Sequence, residues 1–180
     1  QETYQSIQRA FTIGDERTTE QDVLFSIERL AMIAVRALSP GITDNYTAKI
    51  CIRWLGVILG QLVTRDLSRH ALGNLQGIVF NPAPFSLILD TAFVEIRHSA
   101  NSPGIFICLL DTIDAVARCT RKAEYRRILR NHADYTWEET RRKLEGNDRQ
   151  IVLERYLELV ERLSNEDLSL IHISEPTRPY

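Results

Sequence analysis

The sequence predicts an all-α fold, a helical bundle opening with a long helical hairpin, and three observations carry that prediction. Apolar residues recur at spacings of three and four through most of the chain. No stretch sustains the strict alternation of a half-buried strand. Ser, Thr, Asp and Asn stand ahead of the periodic runs and Gly or Pro behind them, where helices start and stop. With 180 residues the chain can build one well-buried core, so a single domain over Gln1–Asp167 is expected.

Taken in order, Ile7, Ala10 and Phe11 give a short helical spacing that Gly14 and Asp15 interrupt. Thr18 and Thr19 then occupy cap positions, with Gln21 and Asp22 at capping-box distance, so a first long helix is expected from about Thr19 to Leu38. Ser39-Pro40-Gly41 stops it, and Asp44 or Asn45 caps a partner running from Asn45 to Arg65. Gly73–Pro84, with its glycines, prolines and asparagines, reads as a loop holding one extended piece at Gly77–Phe80. Three to five further helices follow. Ser86 caps one that reaches Ser99, and Pro103 suits the first turn of another that reaches Arg121. Shorter helices are expected at Ala123–Asn131 and Thr136–Leu144, and Asn147 caps a last one to Leu163. Lys49, Arg53 and Gln61 interrupt the most apolar helix, leaving no uninterrupted apolar run of the roughly 18 residues that reads as a membrane span.

Composition narrows the function classes. A net charge of −2 with 26% charged residues gives no electrostatic reason to expect nucleic acid as a partner. Cys51, Cys108 and Cys119 lie in apolar helical patterns and read as reduced core residues. His70, His98 and His132 are scattered, and CxxC, GxGxxG, Walker and GxSxG motifs are missing, so neither metal nor cofactor is expected. Asp111 and Asp114 share a helix face with Arg118 and Arg121, which reads as a solvated, salt-bridged face. The basic residues from Arg126 to Lys143 interleave with glutamates and read the same way. Leu168–Pro179, LSLIHISEPTRP, resembles a translated transposase-type sequencing adapter. Leu168–Tyr180 is therefore expected to be an adapter-derived tail, and Gln1 to be cut from within a longer protein.

The unusual polar residues concentrate around the first hairpin. Asp22, Ser26, Arg29, Ile33 and Arg36 form one stripe on a helix otherwise apolar around its circumference. Arg36 lies in the last turn, where a cation suits the helix dipole, with Asp22 or Asp44 as candidate carboxylate partners and Arg17 as a second cation. Two readings fit these residues: a structural clamp on the interhelical turn, and a site for an anion or carboxylate. On the second helix Gly56 and Gly60 share a face, which implies close approach of another backbone, either within the chain or across a homo-oligomer interface.

The segment IGDERTTEQDVLFSIERLAMIAVRALSPGITDNYTA, Ile13–Ala48, resembles the signature of a bacterial family of predicted membrane proteins, domain of unknown function 2254. The resemblance rests on Gly14, Arg17, Thr18, Gln21, Asp22, Phe25, Ile27, Leu30, Arg36, Ser39, Pro40, Gly41, Asp44, Thr47 and Ala48, with a weaker echo from Asp90 to Arg97. Thr43 stands where the family has Asn, and Asn45 where it has Pro. The family pattern adds Thr18, Gln21, Ser39 and Thr47 to the candidate polar cluster.

By resemblance, this chain is the soluble part of an inner-membrane protein, facing the cytoplasm, with the membrane-spanning remainder as its partner and a homo-oligomer as a further possibility. Three functions are then open, in order of preference. The first is a non-enzymatic domain for assembly, gating or partner contact. The second is an anion-sensing domain using Arg17 and Arg36, and the third a hydrolase with Asp22 or Asp44 as base.

Overall fold

The computed structural model describes residues 22–65 and 83–172, and their side chains as far as residue 164. Every regular element among them is a helix: α1 Val23–Ala37, α2 Asn45–Thr64, α3 Phe85–Ser99, α4 Pro103–Arg118, α5 Ala123–Lys143 and α6 Gly146–His172. The expected bundle with its opening hairpin is present. The short helix at Ile7–Phe11, the Thr18/Thr19 caps, the extended piece at Gly77–Phe80 and residues 173–180 lie outside the described residues.

The helices pack in a closed circuit, in which α1 lies against α2 and α3, α2 against α4, α4 against α5 and α6, and α5 against α6 and α3. Helix α4 is central: ten of its sixteen residues are buried, among them Phe106, Leu109, Leu110 and Ile113. Around it the core takes Ile27 and Ala34 from α1, Ile52, Leu55 and Leu59 from α2, Leu89, Phe93 and Ile96 from α3, Leu129 from α5, and Val152 and Leu159 from α6. Helix α2 is long and apolar enough, by length and composition alone, to cross a membrane. Its buried face, Ala48 to Val63, packs on neighbouring helices, while Tyr46, Trp54 and Val57 stay exposed.

Several boundaries differ from expectation for local reasons. Helix α1 starts at Val23, because Asp22 has extended backbone (φ −132°) and its carboxylate accepts the Phe25 N–H at 3.1 Å. Helix α3 starts one residue earlier than Ser86, with Pro84 as N-cap. Helix α4 ends at Arg118, not Arg121.

The two short helices expected at Ala123–Asn131 and Thr136–Leu144 are one continuous α5. Thr136 does not cap; its hydroxyl donates back to the His132 carbonyl at 2.7 Å, and Thr140 to that of Thr136 at 2.8 Å, so both hydroxyls are satisfied inside the helix on its buried face. Helix α6 begins at Gly146, where φ is +55°, a backbone state that glycine adopts without steric cost, and it extends past Leu163 into the first residues of the adapter-like tail.

The interhelical turn holds one departure from the family pattern in an unfavourable conformation. Thr43 has φ +48°, a left-handed conformation that crowds a β-branched side chain and that Asn tolerates. Thr43→Asn is therefore expected to raise stability by about 1 kcal/mol, read as a higher urea midpoint at unchanged m-value. An unchanged or lower midpoint would show that Thr43 is not strained.

Candidate functional site

The polar residues of the first hairpin end up as caps at its two ends. Asp44 is the N-cap of α2, accepting the Thr47 N–H at 3.0 Å and the Thr47 hydroxyl at 2.6 Å. The Thr47 hydroxyl first, and then its backbone N–H, hold the Asp44 carboxyl below its usual range. Ser39 donates its hydroxyl to the Arg36 carbonyl at 2.8 Å, and the Asp44 N–H closes the turn on the Ala37 carbonyl at 2.8 Å. Asp44, Thr47, Ser39 and the Arg36 backbone are thus brought together around one turn.

Asp22 is not part of that group. It caps the opposite end of α1, about 21 Å along the axis from Arg36 at 1.5 Å per residue, so the two cannot pair. Arg36 is exposed, no ion pair joins it to Asp44, and it borders a groove of about 450 Å³ between α1 and α3 that also carries Glu28, Glu95, Met32 and Thr91. Arg17, Thr18 and Gln21 lie outside the described residues. Arg36→Ala is accordingly expected to change stability by no more than about 0.5 kcal/mol. Asp44→Ala should lower the melting temperature clearly, through loss of the cap. Equal, large losses from both would restore an ionic clamp.

Gly56 and Gly60 line the crossing of α2 over α4. A Cβ on Gly56 would sit 2.6 Å from Thr112 Cγ2, and one on Gly60 would sit 3.4 Å from Cys119 Sγ. The close approach lies within the chain at Gly56, where Thr112 is buried and its hydroxyl is tied to the Cys108 carbonyl at 2.8 Å. Beside the crossing runs a mainly apolar groove of about 530 Å³, lined by Arg53, Val57, Gln61, Asp111, Ala115 and Cys119 among others. Cys51 and Cys108 are buried as expected, whereas Cys119 is exposed beside this groove. Gly56→Ala should cost about 1–3 kcal/mol by overpacking, and Thr112→Ser, which removes the opposing methyl and keeps the hydroxyl, should recover most of that in the double variant. Additive losses in the cycle would mean that the two do not meet.

The densest charge cluster lies elsewhere, between α4 and α6. Asp114, read from sequence as solvated, is buried and accepts from Arg118 at 3.0 Å, from Arg155 at 2.8 Å and from Arg162. Arg155 also reaches Asp111 at 2.6 Å and Glu158 at 3.4 Å. Burial opposes the Asp114 charge, but the hydrogen bonds from Arg118, Arg155 and Arg162 outweigh it and hold the carboxyl below its usual range. Of this cluster, the sequence shows the shared face of Asp111, Asp114 and Arg118. Arg155 and Arg162, seven apart on one face of α6, were the available signal for the rest.

A second buried polar group joins α3 to α5. Arg97 is 5% exposed with its guanidinium 5.5 Å from the centre of the Tyr135 ring, and its Nη1 has no hydrogen-bond partner. His132 is 3% exposed, its Nε2 3.4 Å from an Asp90 carboxylate oxygen and its Nδ1 without a partner. Burial, reinforced by the Arg97 charge and only partly opposed by Asp90, pushes the imidazole down to about 4. The Asp90 contact therefore involves neutral histidine near pH 7. Arg126, also expected in solvent, is buried and donates to the Leu163 carbonyl at 3.1 Å, fastening α5 to α6. Among the described residues no three His, Cys, Asp or Glu side chains gather where they could hold a metal ion.

The chain is 34% identical over 112 residues to the uncharacterized proteins Rv1290c and MT1328 of Mycobacterium tuberculosis and Mb1321c of Mycobacterium bovis. The match covers 59% of this chain and 21% of each relative, so the chain spans about a fifth of their length. No solved structure matches. The profile of the predicted membrane protein family DUF2254 matches residues 1–115, which takes in the capped hairpin, α3 and most of α4, and the chain belongs to that family.

Proposed function

We propose that this chain is a non-enzymatic helical domain of a longer membrane protein, serving its assembly through packing contacts. The observation that carries the reading is how the carboxylates are used. Asp22 and Asp44 face the N–H groups of their own helices, and Asp114 is enclosed by three arginines, so each is spent on holding helices in place. A general base needs a carboxyl raised toward neutrality in an open cleft, whereas Asp44 and Asp114 are both lowered. Arg36 shares its groove with Glu28 and Glu95, a poor setting for an anion.

The test is the full-length protein carrying Asp114→Ala, solubilised from membranes and run on native gels. Loss of the assembled species, with the membrane-spanning part still inserted, is expected. Wild-type assembly after deletion of residues 22–164 would sink the proposal.

A further inference from the structure

We propose that the outer face of the α1–α2 hairpin docks on an anionic lipid surface. The inference rests on the membrane-protein reading above and adds the chemistry of the partner. Tyr46 is 75% exposed, Trp54 58% and Val57 49% on α2, with Ile33 exposed on α1 and Ile42 in the turn between them. On α2 the spacing of Tyr46, Ile50, Trp54 and Val57 puts these side chains on one side, opposite buried Ile52, Leu55 and Leu59. Large apolar groups grouped on one face mark a contact surface, and Trp and Tyr are the side chains that favour the headgroup level of a bilayer, with an apolar ring and a polar edge.

Charge decides between possible partners. Between Asp22 and Arg65 the sequence carries Arg29, Arg36, Lys49, Arg53 and Arg65 against Asp22, Glu28 and Asp44, in a chain whose net charge is −2. Arg36 shares its groove with Glu28 and Glu95, but Arg29, Arg53 and Arg65 are exposed as well, against Glu28 as the exposed acid of the segment, whereas Asp22 and Asp44 are turned to helix N-termini. By the same helical spacing Arg53 falls among Tyr46, Ile50 and Val57, and the exposed charge of the segment is net positive, the pattern of an element lying in the plane of an anionic interface. A second copy would set one net positive face against another, which costs affinity. Insertion of α2 across the bilayer would require Ile52, Leu55 and Leu59 to leave the core they fill, so docking leaves the hairpin packed and flat on the surface.

The experiment uses the whole chain with phosphatidylcholine vesicles, with and without phosphatidylglycerol, read by co-sedimentation and by quenching of tryptophan fluorescence with lipids brominated in the acyl chains. Binding is expected to be at least about tenfold stronger with phosphatidylglycerol and to weaken with salt. The quenching should vanish in Trp54→Phe, which leaves Trp137 as the remaining tryptophan. Arg53→Glu should weaken binding by about fivefold or more. Absence of binding at low salt, binding without Trp54 quenching, or self-association abolished by Trp54→Ser would each overturn the proposal, the last by assigning the face to a second copy. If assembly of the full-length protein still depends on this domain while vesicle binding fails, the docking inference falls and the assembly reading stands.

Discussion

Asp114→Ala is expected to destabilise the domain by about 3 kcal/mol at pH 7, measured by urea unfolding. Truncation leaves Arg118, Arg155 and Arg162 without the carboxylate they converge on. Breaking a buried pair typically costs about 3–5 kcal/mol. The lower end applies because Arg118 can turn to water and Arg155 retains Asp111 and Glu158. The acid limb gives a second readout. Since the folded Asp114 carboxyl lies below its unfolded value of 3.8, its contribution is fully present above that pH and is lost as pH falls through the folded value. Asp114→Asn should remove this limb while keeping the shape. A loss below about 1 kcal/mol in the Ala variant would mean that the three arginines hold α4 and α6 without it.

Between pH 6.5 and 4, stability is expected to fall by up to about 3 kcal/mol because of His132. The imidazole is neutral in the folded protein down to about 4 and takes up a proton at 6.5 when unfolded, so in this window the unfolded chain binds more protons and lowering the pH favours it. The contribution is present above 6.5 and lost below, in a window above that of Asp114. His132→Gln should flatten the pH dependence between 6.5 and 4 whatever its effect at pH 7. An unchanged slope in that variant would show that His132 titrates normally.

Much of the architecture was legible in the chain. The hairpin, its stop at Ser39-Pro40-Gly41, the Asp44 cap and the Pro103 start depend on backbone chemistry within four residues, and local sequence reports such chemistry directly. The break expected within α5 does not occur, because a threonine hydroxyl has two local choices, capping forward or bonding back, and its burial decided for the second at Thr136. The candidate pairing of Asp22 with Arg36 fails for a geometric reason. Asp22 and Arg36 share a helical stripe, but a stripe fixes angle and not height, and they stand fourteen positions apart along it.

The buried charges were the least legible. Asp114, Arg126 and Arg97 sit among acids and bases in a way that a solvated face also would, and nothing local distinguishes the two cases. Residues 41 to 48 positions away in sequence, Arg155 and Arg162, complete the Asp114 group, and the α4–α6 packing brings them there.

The sequence by itself determined the helical class, the hairpin with its caps and turn, and membership of the membrane-protein family, because periodicity, capping and motif are short-range properties of the chain. The tertiary structure alone decided which charges are buried and paired, that Gly56 meets Thr112, and that Tyr46, Trp54 and Val57 remain uncovered, because burial depends on which helices pack together and no single helix carries that information.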